Sequence, residues 1–542
     1  MRIKDLPTAS TISSSDYLVV DQIIGGQYTT RKSPVSALAP VVLGFSNVKN
    51  NPYNAVGDGA ADDTVAIQTA LTAGGLIIVP AGTYYCTANL FMVSNTVLWL
   101  LEGATIKING HRLFAVDKSN IVVKGPGAIY GYNLPVHDTY LPYSDSGYGP
   151  GKTGIVNFGS SSHLTPVNNI IVDGVEVYGD WPTGTPNKKN SDGTTVDATS
   201  CQCGIFTYEV NNLHIRNCNA HNTWNELLIT AVTSVTTLSH DVFIHENYFH
   251  DGNHDVYGPM GFGPVSAQFV NNIGHNCWAG VEMLQGVCRG NLMYGMQGPG
   301  YWIGGNVTPN GYMPFVVENN VGSGNMIGVP NGYADFCMDT GQTSSPTGSL
   351  VFRGNVSANS NGPAVYVNGW NFADISQNSI NGWAASLSVS NNWGLAIDHT
   401  TTGVVSGNHA INEGANSTGA FKFISLGSLT FTSDNVVSGV TNVFSSGSQT
   451  PTNYEYPEVS LAAQTIPNLS SQNGQVFATV TVTGAAVGDI VTASTSAVPN
   501  ANCVIWGAVT SANTVSVSAF NAGGGAFGST TSCTVYVRVK KK

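Results

Sequence analysis

Charge is what this chain has least of. Its 542 residues include 20 Lys and Arg and 32 Asp and Glu, so charged residues make up 10%, against about 25% in an average soluble domain. The balance of −12 excludes nucleic acid as a partner, because phosphate binding needs clustered Lys and Arg. The one dense basic stretch, the terminal VRVKKK, reads as a solvated tail. No run of 18 apolar residues is present, so no transmembrane helix is expected. The opening MRIKDLPTASTISSSDYLVV lacks the apolar core of a signal peptide. The nine cysteines are odd in number and lack framework spacing, which predicts buried thiols from a reducing cytosol. Cys201 and Cys203 stand too close together for a zinc pair, so neither metal nor cofactor is expected.

Glycine, by contrast, is abundant at 63 residues, and with it runs a repeat. HIRNCNAHNT at 214–223, FIHENYFHDG at 243–252 and QFVNNIGHNC at 268–277 share an apolar–x–apolar triplet, then Asn (Cys218 in the first copy), then His. The pattern continues through Asn247, Asn272, Asn291, Asn320, Asn355, Asn378 and Asn408, in steps of 25, 19, 29, 35, 23 and 30 residues. Self-similarity of this kind marks a solenoid, and alternation of period two makes each repeat a set of strands. Helical repeats would need apolar residues at i, i+3 and i+4, where Gly and Asn are poor. The expectation is an all-β, right-handed parallel β-helix. Asn sits where each coil turns, tolerating left-handed backbone and stacking amide on amide, with His221, His250 and His275 stacked outside just past the turn.

Four regions follow along the chain. Residues 1–43 are polar and broken, with DYLVVDQ and QYTTRK forming a small hairpin. In 44–107, TVAIQTAL carries the strong helix signal, with Asp62 or Asp63 as N-cap and Gly at its end. A helix there covers the open edge of the first coil, so Asp58, Asp62 and Asp63 read as structural caps. Coils fill 108–450, interrupted by the Tyr-rich stretch 131–151 and by 181–203. Beyond a linker near 451–470, strands such as QVFATVTVTG and CTVYVRV predict a β-sandwich in 451–542.

GDGAADDTVAIQTAL followed by GGLIIVPAGTYY closely resembles the opening of the pectate-lyase-like β-helix superfamily, a motif that specifies the fold and not the reaction. LPTASTISSSDYLVVDQ with YTTRK resembles the virion-attachment segment of bacteriophage tail proteins, and ATVTVTGAAVGDIVTAST resembles the terminal domains of phage tailspikes. Taken together the resemblance is to a tailspike depolymerase. It implies a homotrimer fixed to the baseplate or tail by its N-terminus and assembled in the host cytoplasm. It also implies binding, and usually cleavage, of a bacterial capsular or other surface polysaccharide, with neither nucleic acid nor membrane as partner. The C-terminal sandwich would serve trimerisation or receptor binding. Active sites in this family vary in position, so no catalytic residue carries over.

Glycoside hydrolysis needs two carboxyl groups on an exposed, elongated face. Alternation along the strands assigns Glu226, Asp255, Glu282, Asp335 and Asp339 as catalytic candidates on the outside. Tyr257, Tyr301, Trp302 and Tyr366 interleave with them as rings on which sugars could stack, and His250 and Asp251 complete a dense ionisable cluster with His254 and Asp255. In GVEML, Val281 and Met283 point inward and Glu282 outward; in NELLI, Leu227 and Ile229 point inward. Each outward carboxylate could equally be a solvated surface group, and the histidine column a turn stack. A lyase would need Arg, Lys or a metal to neutralise a uronate. Between 190 and 350, Arg216 and Arg289 are the basic residues besides His and the pair Lys188–Lys189 just upstream, which favours a hydrolase. A lyase, with His250 or Tyr257 as base, and a non-catalytic glycan-binding adhesin stay open as alternatives.

Overall fold

The protein is described from a computed structural model, which covers the hairpin at 17–34 and, apart from short internal stretches, residues 45–133, 153–180, 202–440 and 456–541. The two interruptions expected at 131–151 and 181–203 fall almost wholly outside the described residues. The chain divides into two compact units, Met1–Gln268 and Phe269–Lys542.

In the N-terminal unit, Tyr17–Ile24 pairs antiparallel with Gln27–Pro34, the hairpin expected from DYLVVDQ and QYTTRK. Coils then begin, each contributing strands in turn to three parallel sheets. One coil runs Thr96–Leu100 in sheet 1, Ala104–Asn109 in sheet 2 and Leu113–Val116 in sheet 3. Its inward residues Leu98, Leu100, Ile106, Ile108 and Leu113 are fully buried. Each sheet grows by adding the equivalent strand of the next coil in register, as in Ile121↔Ile170 and Ile170↔Leu213. This is a parallel β-helix, with the right-handed crossover that parallel strands take.

Helix α1, Thr64–Ala73, packs beside the first coils, burying Ile67, Ala70 and Leu71. The carboxylates before it divide the work. Asp62 Oδ1 accepts from Thr64 N at 2.9 Å, holding the first turn, while Oδ2 accepts from Thr87 Oγ1 at 2.6 Å. Asp63, nearly fully buried, accepts from Val56 N and Gly57 N at 2.6 and 2.9 Å. Asp58 accepts from Ala60 N and Ala61 N. All three have structural partners, and Gly74 ends the helix at φ 69°.

The C-terminal unit is likewise built of three-sheet coils, from Ile273–His275 to Val436–Ser438. Its turn between sheets 1 and 2 is an asparagine ladder. Asn291, Asn320, Asn355, Asn378, Asn408 and Asn435 are buried, and each Nδ2 up to that of Asn408 donates to the next Oδ1 at 2.9–3.0 Å. The amide stacking matches expectation; the backbone reading does not. Left-handed φ belongs to the preceding residue, at Gly290, Asn319, Gly354, Gln377 and Gly407. The ladder asparagines serve through their amides, each Oδ1 also accepting from the backbone N–H of the asparagine one coil before, as Asn320 Oδ1 does from Asn291 N.

After the coils, Val459–Ile466, Thr531–Lys540 and Ile490–Thr495 form one antiparallel sheet, and Gly474–Thr481, Thr514–Asn521 and Cys503–Ser511 a second. The strand at Val459–Ile466 occupies part of the expected linker, so sheet structure starts earlier than the composition suggested. The described cysteines form no disulfide, and all but Cys503 are buried.

Candidate active site

In the C-terminal unit, sheet 3 is built from Ala279–Met283, Tyr301–Gly304, Phe336–Asp339, Val365–Asn368, Trp393–Asp398 and Gly419–Ile424. Its register sorts every residue to one face. Val281, Tyr301, Phe336, Val365, Leu395 and Phe421 align and are buried, and so do Met283, Ile303, Met338, Val367, Ile397 and Phe423. Between these core columns, pointing the other way, runs Glu282, Trp302, Cys337, Tyr366, Ala396 and Lys422. A second outward column, at the strand ends, runs Gly304, Asp339, Asn368, Asp398 and Ile424. Four candidates (Glu282, Trp302, Tyr366 and Asp339) are thus brought to one face by strict period-two alternation.

Tyr333 joins them. Its ring meets Trp302 edge-on at 5.1 Å and Trp278 at 6.4 Å, making an aromatic corner beside Glu282. The Tyr333 phenol is pushed up by burial first, then by Cys337 and the carboxylates of Glu282 and Asp339. The Tyr366 phenol is also pushed up, by burial and then by Asp398 and Asp339, and its ring lies 6.0 Å from Trp393.

The carboxylates of the second column differ in surroundings. Asp339 Oδ1 accepts from Asn368 Nδ2 and Gly341 N, both at 2.8 Å. Asp398 is more enclosed, its side chain 13% exposed. Burial raises its pKa, the charge of Asp339 adds to the rise, and His399 opposes it. His399 Nδ1 lies 2.7 Å from Asp398 Oδ1. Asn368 separates the two acids by one coil on each side. Two coil spacings of about 4.8 Å put their backbones about 9.6 Å apart.

Four candidates expected outside lie inside. Tyr301 is fully buried, donating to Asn291 O at 2.8 Å and stacking on Phe336. Tyr257 is a core residue of the N-terminal unit, aligned with buried Leu227. Both hydroxyl-bearing rings fill coil interior that the alternation reserves for apolar groups. Asp335 precedes its strand and turns into the coil, where Asn325 Nδ2 and Ser357 Oγ each donate to it at 2.7 Å. Gly300 and Gly322 make the room, since a Cβ on Gly322 would come within 2.3 Å of its carboxylate. Asp255 is 3% exposed; Oδ2 lies 2.6 Å from His254 Nδ1, and Oδ1 is buried with no hydrogen-bond partner among the described residues.

The remaining candidates belong to the N-terminal unit. Glu226 lies in Asn225–Ala231, with its side chain outside the described residues. His250 stacks on His221 at 4.6 Å, and His221 on Tyr178 at 5.2 Å, the ring column expected past the turn. His250 Nδ1 is 2.8 Å from Asp251 Oδ2 and Nε2 is 3.1 Å from Asn219 Oδ1. These rings cover one another's faces on sheet 2. Among the described residues, no group of three His, Cys, Asp or Glu side chains is placed to hold a metal.

Asp398, Asn368 and Tyr333 were missed by the sequence reading. The signal was present for two of them: aligning FCMDT, VYVNG and LAIDH on their buried apolar residues puts Asp339, Asn368 and Asp398 in one column.

No family model matches the chain, and no curated protein does. Similar solved structures include a tailspike protein mutant of E. coli bacteriophage HK620 in complex with a pentasaccharide, at 12% identity and TM-score 0.48, covering 96% of this chain and 98% of that one. The tailspike of Pseudomonas phage phi297 is similar at 10% identity and TM-score 0.42, covering 92% and 99%. The catalytic unit of an α-1,3-glucanase from Streptomyces thermodiastaticus follows at 14% and 0.43, covering 73% and 69%.

Proposed function

We propose that the chain is a phage tailspike that binds a bacterial surface polysaccharide along the outer face of sheet 3 in the C-terminal unit and hydrolyses it. The observation that carries this is the pair of outward columns, in which Asp339 and Asp398 flank Asn368 beside the rings of Trp302 and Tyr366. Rings offer flat apolar faces to pyranose sugars, and two acids two coils apart stand close to the roughly 6.5–9.5 Å of an inverting glycosidase. Asp398, whose carboxyl is shifted towards its protonated form by burial and by the charge of Asp339, gives its proton to the glycosidic oxygen. Asp339 takes a proton from the water that attacks the opposite side of the anomeric carbon. Glu282, beside the aromatic corner, accepts hydrogen bonds from sugar hydroxyls.

The virion setting rests on the sequence resemblance of the N- and C-terminal segments. In that setting residues 1–43 attach the spike to the tail and 451–542 hold the trimer. A trimer is supported by the second sheet of the C-terminal strands, which leaves Val476, Val504, Trp506 and Phe520 exposed by 50, 48, 53 and 37% on one aligned patch.

The test is incubation with a panel of capsular and other surface polysaccharides, followed by analysis of fragment ends. Saturated new reducing ends with inverted anomeric configuration are expected. Unsaturated ends would replace hydrolysis by elimination, and binding without fragments would leave an adhesin.

A further inference from the structure

We infer that the outer face of sheet 3 in the C-terminal unit takes an uncharged polysaccharide, neutral hexoses or N-acylated amino sugars rather than a polyanion. The inference rests on the reading of that face as a glycan-binding surface and concerns what it admits.

The ionisable groups on the two outward columns are Glu282, Asp339 and Asp398 against Lys422, with His399 at the edge. Arg289, Arg353 and Lys422 are the Lys and Arg residues between 269 and 438. Both arginines lie on sheet 1 and are committed to Glu318: Arg289 Nε donates to Oε1 at 2.7 Å and Arg353 to Oε2 at 2.8 Å. The described strands of sheet 3 therefore carry no guanidinium to receive a carboxylate or phosphate in the bidentate manner such groups favour. Lys422 lies four coils from Trp302 and three from Cys337, too far along to accompany a charge repeated through the chain.

A polyanion laid along this face would pass the carboxylates of Glu282 and Asp339 with no guanidinium to offset them. Like charges so juxtaposed reject a ligand as effectively as missing contacts do. Both tyrosines register the same negative field, each phenol held up in part by these carboxylates after burial. A neutral sugar meets no such penalty. Its hydroxyls donate to carboxylate oxygens, which accept without donating, and its ring faces pack on Trp302 and Tyr333.

The experiment is an array of purified bacterial polysaccharides of known composition, neutral members beside members bearing uronate, sialate, phosphate or pyruvate. The full-length protein is applied at low and at high salt, and reducing ends are assayed on every polymer that binds. Binding confined to neutral polymers is expected, changing by less than about twofold with salt because no charged pair is screened. Capture of an anionic polymer, or binding that collapses in high salt, overturns the inference. A neutral polymer bound but left intact refutes the hydrolysis and leaves this inference standing, whereas binding to none refutes both.

Discussion

At the scale of single residues, the proposed hydrolysis depends on two acids with unequal surroundings. Asp398→Asn removes the proton donor and Asp339→Asn the base, and each should lower turnover by about 10²–10⁴-fold while binding to the intact polymer persists. Loss of binding in both variants would make these residues part of the sugar contact alone. A third acid gives a pH signature of stability. Burial lifts Asp335 from 3.8 to about 6, so the native state holds its proton more tightly than the unfolded chain. Its contribution is complete below about pH 4 and is lost as pH rises through about 6, a difference on the order of 3 kcal/mol. Asp335→Asn keeps the donor from Asn325 and needs no proton, so thermal stability should rise at pH 7.5 and lose its decline between pH 4 and 7. An unchanged pH profile would mean that Asp335 stays ionised. Alternation was enough to place Glu282, Trp302, Asp339 and Tyr366 on the outer face, because each lies in a regular strand beside buried neighbours. It failed for Tyr301, Tyr257, Asp255 and Asp335. Tyr301 is satisfied by carbonyls of other coils, and Asp335 lies before its strand, where alternation no longer dictates the face.

At the scale of elements, the turn between sheets 1 and 2 is where sequence and structure agree most closely. The repeated Asn announced the coil because its side chain does what the backbone cannot do alone at a sharp buried corner. Asn320 Oδ1 accepts from Asn291 N and Nδ2, and Asn320 Nδ2 donates to Cys288 O and Asn355 Oδ1. Asn320→Ala strands buried partners above and below, each left unsatisfied at about 1–3 kcal/mol. The outer ladder of the N-terminal unit offers the control, since Asn120 Nδ2 donates to Asn95 Oδ1 in an exposed setting where water can replace it. Unfolding rates in guanidinium should therefore rise far more for Asn320→Ala than for Asn120→Ala. Equal effects would deny the buried ladder its special weight. The left-handed residue just before each ladder Asn was not legible, because Gly, Asn and Gln all occupy it and none marks it by itself. The helix caps were legible in type, since Asp62 and Asp63 both bind backbone amides, but not in partner. Asp63 reaches back across the chain to 56 and 57 instead of forward into α1.

At the scale of the whole molecule, uncovered apolar groups call for a partner. The coils hide most of theirs by alternation, and the exposed apolar patch of the C-terminal strands does not. Val504 pairs with Phe520, and Val476 and Trp506 both pair with Ser518, so the four side chains form one patch on a single face. Burying such side chains against other copies removes apolar surface at about 25 cal/mol per Å², and symmetry applies the gain at every contact. A homotrimer closed partly through this face is the expectation. Sedimentation velocity on the full chain should give three copies, and Trp506→Lys with Val504→Lys should shift the distribution towards monomer. The circular dichroism of the coils should stay unchanged, because none of these residues belongs to them. A wild-type monomer would sink the trimer outright. A trimer untouched by the double substitution would move the contact to the coils, where the outer face of sheet 2 in the same unit exposes Ile273, Tyr294 and Val436 by 40, 37 and 44%.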